Sequence, residues 1–370
     1  MISLRKILCV ATLTLVSALS GCDGFFFKQA STTIGPGTGN YVYVANSGSN
    51  SVAGFQIATT GALTATTNSP YVLGVSPIAV TVSRNNAYVY LATSAGIFGY
   101  SVGTAGALTI LNSGGALVAS SNGSQSLETS PDGQWLISLN GDGISVSVYS
   151  IQTGGLLGLK QVVSYAGLAG TAVPKMIRIA PSGAYVFAAL GTGGEVVYSF
   201  NTTTGVLAQV AVLNTPNLSS DNAIAVDSTS SYLYLVRSGV SQGLSVFTLG
   251  TSGSLTQTGS TYATGTQPSG VAIDSTNKYL YVANRGDSTI SGYGIFVPAA
   301  LTSLPGSPYS SGAGVSALGM DSTGKWLLAS AQSSSPDLSL DGFDAVNLGR
   351  IYSVSSTATG TNAAAIGLTH

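Results

Sequence analysis

From Pro268 to Ile295 the chain reads PSGVAIDSTNKYLYVANRGDSTISGYGI. Short runs of apolar, β-branched and aromatic residues alternate there with clusters of Asp, Asn, Ser and Gly. The run VAI ends at Asp274-Ser275-Thr276-Asn277, YLYVAN ends at Arg285-Gly286-Asp287, and TISGYGI follows. Strands of about 4–8 residues bounded by turn-forming residues account for this pattern. The pattern recurs along the chain. Aligned on the aromatic that opens each YxYxA-like run, the units start at Tyr41, Tyr88, Trp135, Tyr185, Tyr232, Tyr279 and Trp326, with spacings of 47, 47, 50, 47, 47 and 47 residues. A second aromatic recurs in the following run, at Phe55, Tyr100, Tyr149, Phe200, Phe247, Tyr293 and Phe343.

A glycine turn of TGAL type then follows in five units, as in Thr60-Gly61-Ala62-Leu63 and Thr204-Gly205-Val206-Leu207, and decays to Pro298-Ala299-Ala300-Leu301 in the sixth. Glycine there suits a hairpin position of positive φ. Units of roughly 40–50 residues are the length of four-stranded propeller blades. The fold class is therefore all-β, a seven-bladed β-propeller over residues 41–370. A further strand and turn precede each opener, as in Val271 to Ile273 with Asp274-Ser275-Thr276. The first unit lacks that strand, since nothing in residues 31–40 resembles it. Asn362 to Gly367 does, aligning with Asn222 to Asp227, so the C-terminal strand is expected to complete the first blade and close the ring. Closure removes exposed sheet edges. The recurring aspartates read as Asx-type turns, one per blade and far apart around a ring, rather than as metal ligands.

Composition agrees with this reading. The chain has 48 Gly, 44% apolar and only 7% charged residues. Some 330 residues exceed what one compact core holds, and a repeating fold resolves that, because each unit packs only on its neighbours. Lys+Arg is 12 against Asp+Glu 13, a net charge of −1, which offers no basic footprint for nucleic acid. The N-terminus reads as an address. Residues 1–21 carry a basic start (Arg5, Lys6) and an apolar stretch from Ile7 to Leu19, as secretory signals do. Leu19-Ser20-Gly21-Cys22 resembles the bacterial lipobox, which implies cleavage before Cys22 and its lipidation. Cys9 leaves with the leader, so no intrachain disulfide can form in the mature chain. More than one acyl chain gives stable anchoring. Phe25 to Phe27 are placed to lie at the lipid interface, and residues 22–40 form a lipidated tether. The expected location is the bacterial cell envelope, on its periplasmic face or the cell surface. The expected partners are the membrane, through lipid on Cys22, and a small molecule or envelope protein at the channel mouth.

YVYVANSGSNSVAGFQI and YLYVANRGDSTISGYGI resemble YVTN-type repeats. A PSG or PDG turn, an aromatic strand and a later TGxL resemble the lactonase-type seven-bladed propellers, which include 6-phosphogluconolactonase-like proteins. The resemblance covers residues 41–370. It implies histidines, an arginine and acidic residues around the central opening of hydrolytic members. Where the family has Pro-His-x-His this chain has Pro174-Lys175-Met176-Ile177, and its Gly-Pro-Arg-His-like segment is matched by Ser220-Asp221-Asn222-Ala223. The single histidine is His370.

The channel-facing slot of the innermost strands is expected at Thr81, Glu128, Arg178, Ala225, Ala272, Gly319 and Ala365. Glu128 and Arg178 are its charged members, in adjacent blades. Together they form either a site for a polar ligand or a structural ion pair between blades. Arg237 and Arg285 follow the second strands of neighbouring units, either sharing one rim that attracts an anion or standing as solvated loop charges. Asp337, Asp341 and Asp344, in the irregular seventh unit, read as loop and strand-edge charges without the ligand order of a calcium loop. No P-loop, HExxH or CxxC is present, and no cofactor is implied. Two functions fit. One is a lipid-anchored, non-catalytic binding or interaction module. The other is a lactonase-like hydrolase opening a sugar lactone, with Glu128 and Arg178 as catalytic residues.

Overall fold

The computed structural model describes residues 39–112, 117–120, 123–297 and 300–370; the leader, Cys22 and most of the tether lie outside them. Seven antiparallel sheets are described, six of them built from strands consecutive in the chain. In the sixth blade they are Pro268–Ile273, Tyr279–Asn284, Thr289–Val297 and Ala300–Ser303, running from the innermost strand outward. The first blade takes its innermost strand from the C-terminus. Ala363–Leu368 pairs antiparallel with Tyr41–Asn46, with Val44 opposite Ile366 and Tyr43 opposite Gly367. The ring closes as the sequence implied. Short fifth strands, Tyr71–Val72, Ala119–Ser120 and Tyr309–Ser310, extend three blades. No helix among the described residues is long and apolar enough to cross a membrane.

A strand in the middle of a blade has a neighbouring blade on each face, so both of its faces can be apolar. Tyr41–Asn46 is buried at every position for that reason. The buried apolar residues form clusters that each span two adjacent blades. Between the sixth and seventh, Tyr281 and Ile290 pack with Leu327 and Ile351. Between the seventh and first, Leu338 and Leu340 pack with Val42 and Phe55. The glycine turn belongs to this packing. A Cβ on Gly205 would lie 2.3 Å from the Trp135 ring of the preceding blade, and the residue's φ is +70°. Two separate reasons therefore demand glycine there. The tyrosine two residues beyond the opener ties the same joint. Tyr43, Tyr90 and Tyr281 donate their hydroxyls to the carbonyls of Gly106, Gly155 and Gly349 in the next blade, at 2.9, 2.9 and 2.7 Å.

Hydrogen-bond register corrects three sequence assignments, each by two residues. The residue opposite Tyr43 is Gly367, so Gly367 and not Ala365 shares the slot of Glu128 and Arg178. The recurring aromatic of the third strand lies opposite the residue after the opener. That residue is Tyr198 in the fourth blade, not Phe200. In the seventh blade it is Asp341, opposite Leu327, not Phe343. One of seven equivalent positions thus holds a carboxylate where the others hold Phe55, Tyr100, Tyr149, Tyr198, Phe247 and Tyr293.

Candidate functional site in the central channel

The innermost strands run in one direction around the ring, so their starts mark one mouth of the channel and their ends the other. A cavity of about 440 Å³ at the ends is lined from all seven blades, including Thr81, Glu128, Arg178, Gly319, Gly367 and His370. A cavity of about 640 Å³ at the starts is lined by Lys175, Ser220, Asn222, Gln267 and Arg285, among others. Ala79, Ser126, Met176 and Ala365 border both.

Glu128 and Arg178 meet inside the channel. Arg178 Nη1 lies 3.3 Å from Glu128 Oε1, with the side chains 34% and 22% exposed. The contact is long and partly exposed, so it leaves both groups accessible to a ligand. Glu128 Oε2 accepts a 2.8 Å hydrogen bond from the Ile179 N–H, which fixes the carboxylate across the joint between the third and fourth blades. Arg178 Nε donates to the Ile224 carbonyl at 3.2 Å, in the fifth blade. Burial pushes the Glu128 carboxyl above its ordinary pKa; Arg178, the Ile179 N–H and Arg84 pull it back in part.

Arg84 and His370 complete this mouth, and sequence reading did not single out Arg84. Arg84 Nη1 lies 2.8 Å from His370 Nδ1, and His370 Nε2 is 3.3 Å from the Val82 carbonyl. Burial, with Arg84 beside it, holds the imidazole down at about 4, so it is neutral near pH 7. The neutral ring then accepts from Arg84 at Nδ1 and donates from Nε2. Both nitrogens are engaged. No spacing links Arg84 with Glu128; the convergence of strand ends does.

Arg237 and Arg285 do not share an open rim. Arg237 lies on the second strand of the fifth blade, Tyr232–Gly239, and is 6% exposed. It grips Asp221 through Nε–Oδ1 at 2.5 Å and Nη2–Oδ2 at 3.2 Å. In three of the other six blades the aligned residue is an asparagine, Asn46, Asn140 or Asn284, whose amide donates to nearby oxygens, and in the rest it is Thr93, Leu190 or Ala331. Arg237 therefore occupies a structural position rather than a rim. Beside it, Glu195 is fully buried with both carboxylate oxygens unpartnered. Burial and the charge of Asp221 hold its pKa well above the usual range, against the pull of Arg237. Arg285 is exposed and lines the larger cavity with Lys175. Of the three acids of the seventh blade, Asp344 is a loop charge as expected, whereas Asp337 and Asp341 are buried. Asp337 is buried and accepts from Thr359 N at 2.6 Å and Thr359 Oγ1 at 3.0 Å. Asp341 is buried on the third strand, and Asp344 accepts from the Val346 and Asn347 N–H groups. Among the described residues no group of three or more His, Cys, Asp or Glu could hold a metal ion.

The chain is a closed seven-bladed propeller with an acid and two arginines at one end of its channel, and the fold alone does not decide a function. Residues 59–340 match the family model of the lactonase, 7-bladed beta-propeller, and the chain belongs to that family. No curated protein sequence matches it. Among solved structures it is similar to a candidate 6-phosphogluconolactonase from Bacteroides fragilis, with TM-score 0.75, 17% identity, and 92% of this chain and 99% of that one covered. It is also similar to the periplasmic gluconolactonase PpgL of Pseudomonas aeruginosa, with TM-score 0.73, 18% identity, and 90% and 99% covered. At these identities the likeness is one of fold. Resemblance and charge point to opposite ends of the channel: Pro174 and Lys175, at the family's Pro-His-x-His position, border the larger cavity, whereas Glu128 and Arg178 line the smaller one.

Proposed function

We propose that the protein is a lactone hydrolase whose reaction centre is the smaller channel cavity. The observation that carries this is the Glu128–Arg178 contact at 3.3 Å inside a cavity of about 440 Å³. Family membership and the gluconolactonase name of one similar structure support it. In the reading, a lactone displaces the long Arg178–Glu128 contact. Glu128 accepts a proton from a water, and that water oxygen bonds to the lactone carbonyl carbon. The carbonyl oxygen takes up the negative charge beside the Arg178 guanidinium. Collapse breaks the ring C–O bond, and the departing alkoxide takes the proton back from Glu128, giving the hydroxy acid. Arg84 provides a second positive charge for a carboxylate or phosphate on the substrate.

The test is hydrolysis of a panel of sugar lactones by purified protein, followed by pH-stat above the spontaneous rate. Glu128→Gln is expected to lower kcat by about 10²–10⁴-fold, the usual worth of a positioned base. Arg178→Met is expected to cost about 10²-fold or more, as for loss of an oxyanion donor. The base works ionised and its pKa is raised. The rate should therefore rise with pH through a value above that of an ordinary glutamate.

A non-catalytic envelope binding module is the second reading. It is favoured by Lys175 at the family's histidine position and by the engagement of both His370 nitrogens. Tight lactone or sugar-acid binding without turnover would establish it. Under either reading we propose that the chain is lipid-anchored at Cys22. Cys22→Ser should move it from the membrane fraction to the soluble fraction.

A further inference from the structure

A second cavity, of about 430 Å³, lies between the sixth and seventh blades, away from the channel. Its walls are the segment Ser310 to Ala313 at the outer edge of the sixth blade, and Ser334, Ser339, Asp341, Ser353 and Ser356 of the seventh. Its origin is the substitution of the aromatic ladder. In the sixth blade, Tyr293 fills the equivalent position and packs on Tyr262 of the blade before it, with ring centroids 6.4 Å apart. In the second blade, Tyr100 packs on Tyr71 in the same way, at 6.4 Å. Asp341 is too short to reach across, and the space that a phenol ring would occupy stays open.

This opening is not lined as a mere packing defect would be. Asp341 is 7% exposed and borders the cavity. Burial raises its carboxyl to about 6, and no cation or donor offsets that cost. The hydroxyls of Ser311 and Ser334, also lining it, are buried without a partner. Asp337 is already held by Thr359. The nearest basic residue along the strand pair, Arg350, is turned to Asp344 at 3.9 Å and half-exposed. Of the two carboxylates in the lining, Asp337 is engaged by Thr359 and Asp341 is left to pair; ringed by unsatisfied or wall-forming hydroxyls, Asp341 asks for a ligand with one positive charge and several hydroxyl groups. A divalent metal fits less well, because calcium takes about 6–8 oxygen ligands and its sites usually supply several carboxylates.

We propose that this inter-blade cleft binds a small hydroxylated primary amine, such as an amino sugar, with the ammonium against Asp341 and the hydroxyls against the serines. The volume is within the range of about 300–1,000 Å³ for small-molecule pockets. The site is independent of the channel chemistry.

Glucosamine, glucose and calcium chloride, titrated separately into the full chain by calorimetry at pH 7.5, test the idea. Glucosamine should bind at one site, at least tenfold more tightly than glucose or calcium. Asp341→Asn should weaken it at least tenfold, and Asp341→Phe, which restores the ring of the other blades, should abolish it. Glu128→Gln should leave it unchanged. The proposal is overturned by absence of glucosamine binding, by equal binding of glucose, by preferred binding of calcium, by unaltered binding in Asp341→Asn, or by loss in Glu128→Gln. A crystal of the unmodified chain soaked in glucosamine provides a check free of any folding defect. Density between Ser334, Asp341 and Ser353 supports the assignment, and density only elsewhere refutes it.

Discussion

At the scale of single residues, the buried acids differ according to what faces them. Asp221 has Arg237 at 2.5 Å, Glu128 has an N–H and a distant guanidinium, and Glu195 and Asp341 have no partner. Removing one member of a buried pair strands the other. Arg237→Met should therefore cost about 3–5 kcal/mol in chemical denaturation, while Asp221→Asn with Arg237→Met together should cost less. Glu195 and Asp341 act in the opposite sense. Their folded-state pKa values are raised, so the native state holds protons that the unfolded chain releases. Stability from this source is present below the unfolded value and falls as pH rises. For Asp341 the loss spans the ordinary aspartate value up to about 6. Asp341→Asn should thus remove a fall of roughly 3 kcal/mol across that window, and Glu195→Gln should flatten the curve above about pH 4.5, both read from denaturation at stepped pH. The environments of Glu195, Asp221 and Asp341 were not legible in the chain. Glu195, Asp221 and Arg237 come from the third strand of one blade and the first two of the next, and no spacing announces that meeting.

At the scale of the element, the repeat was legible and its register was not. Aromatic openers, turn aspartates and glycine turns recur at fixed spacing, and all lie where a four-stranded blade needs them. Asp274, for example, accepts from the N–H groups of Lys278 and Tyr279 at 2.7 and 2.6 Å and clasps its turn. Asp274→Ala should cost about 2 kcal/mol, the worth of charge-assisted hydrogen bonds, measured by thermal or chemical unfolding. The three misplaced positions, at Ala365, Phe200 and Phe343, are each two residues from the true ones. A two-residue slip keeps every side chain on its own face, so alternation cannot detect it. Only the ladder of hydrogen bonds does, and the turns between second and third strands vary in length. That slip is why Asp341 first read as a strand-edge charge.

At the scale of the whole molecule, closure and channel are one fact. The last strand pairs with the first, Tyr41 N–H donates to Thr369 Oγ1 at 2.8 Å, and His370 is thereby delivered to the channel mouth. Deleting Thr361 to His370 should remove the inner strand of the first blade and expose two sheet edges. The cooperative thermal transition should then be lost or fall steeply, whereas an unchanged Tm would contradict the closure. The same geometry makes Glu128 and Arg178, 50 residues apart, neighbours on one wall. Their placement on the channel slot was legible from the repeat, while Arg84, His370 and the second mouth were not, since each depends on how seven strand ends converge. The most direct test of the functional account is lactone turnover by the purified protein, compared with its Glu128→Gln variant at equal fold stability. The account predicts hydrolysis above the spontaneous rate that falls by about 10²-fold or more in the variant. Turnover unchanged by the substitution, or absent from a broad panel of sugar lactones, would contradict it.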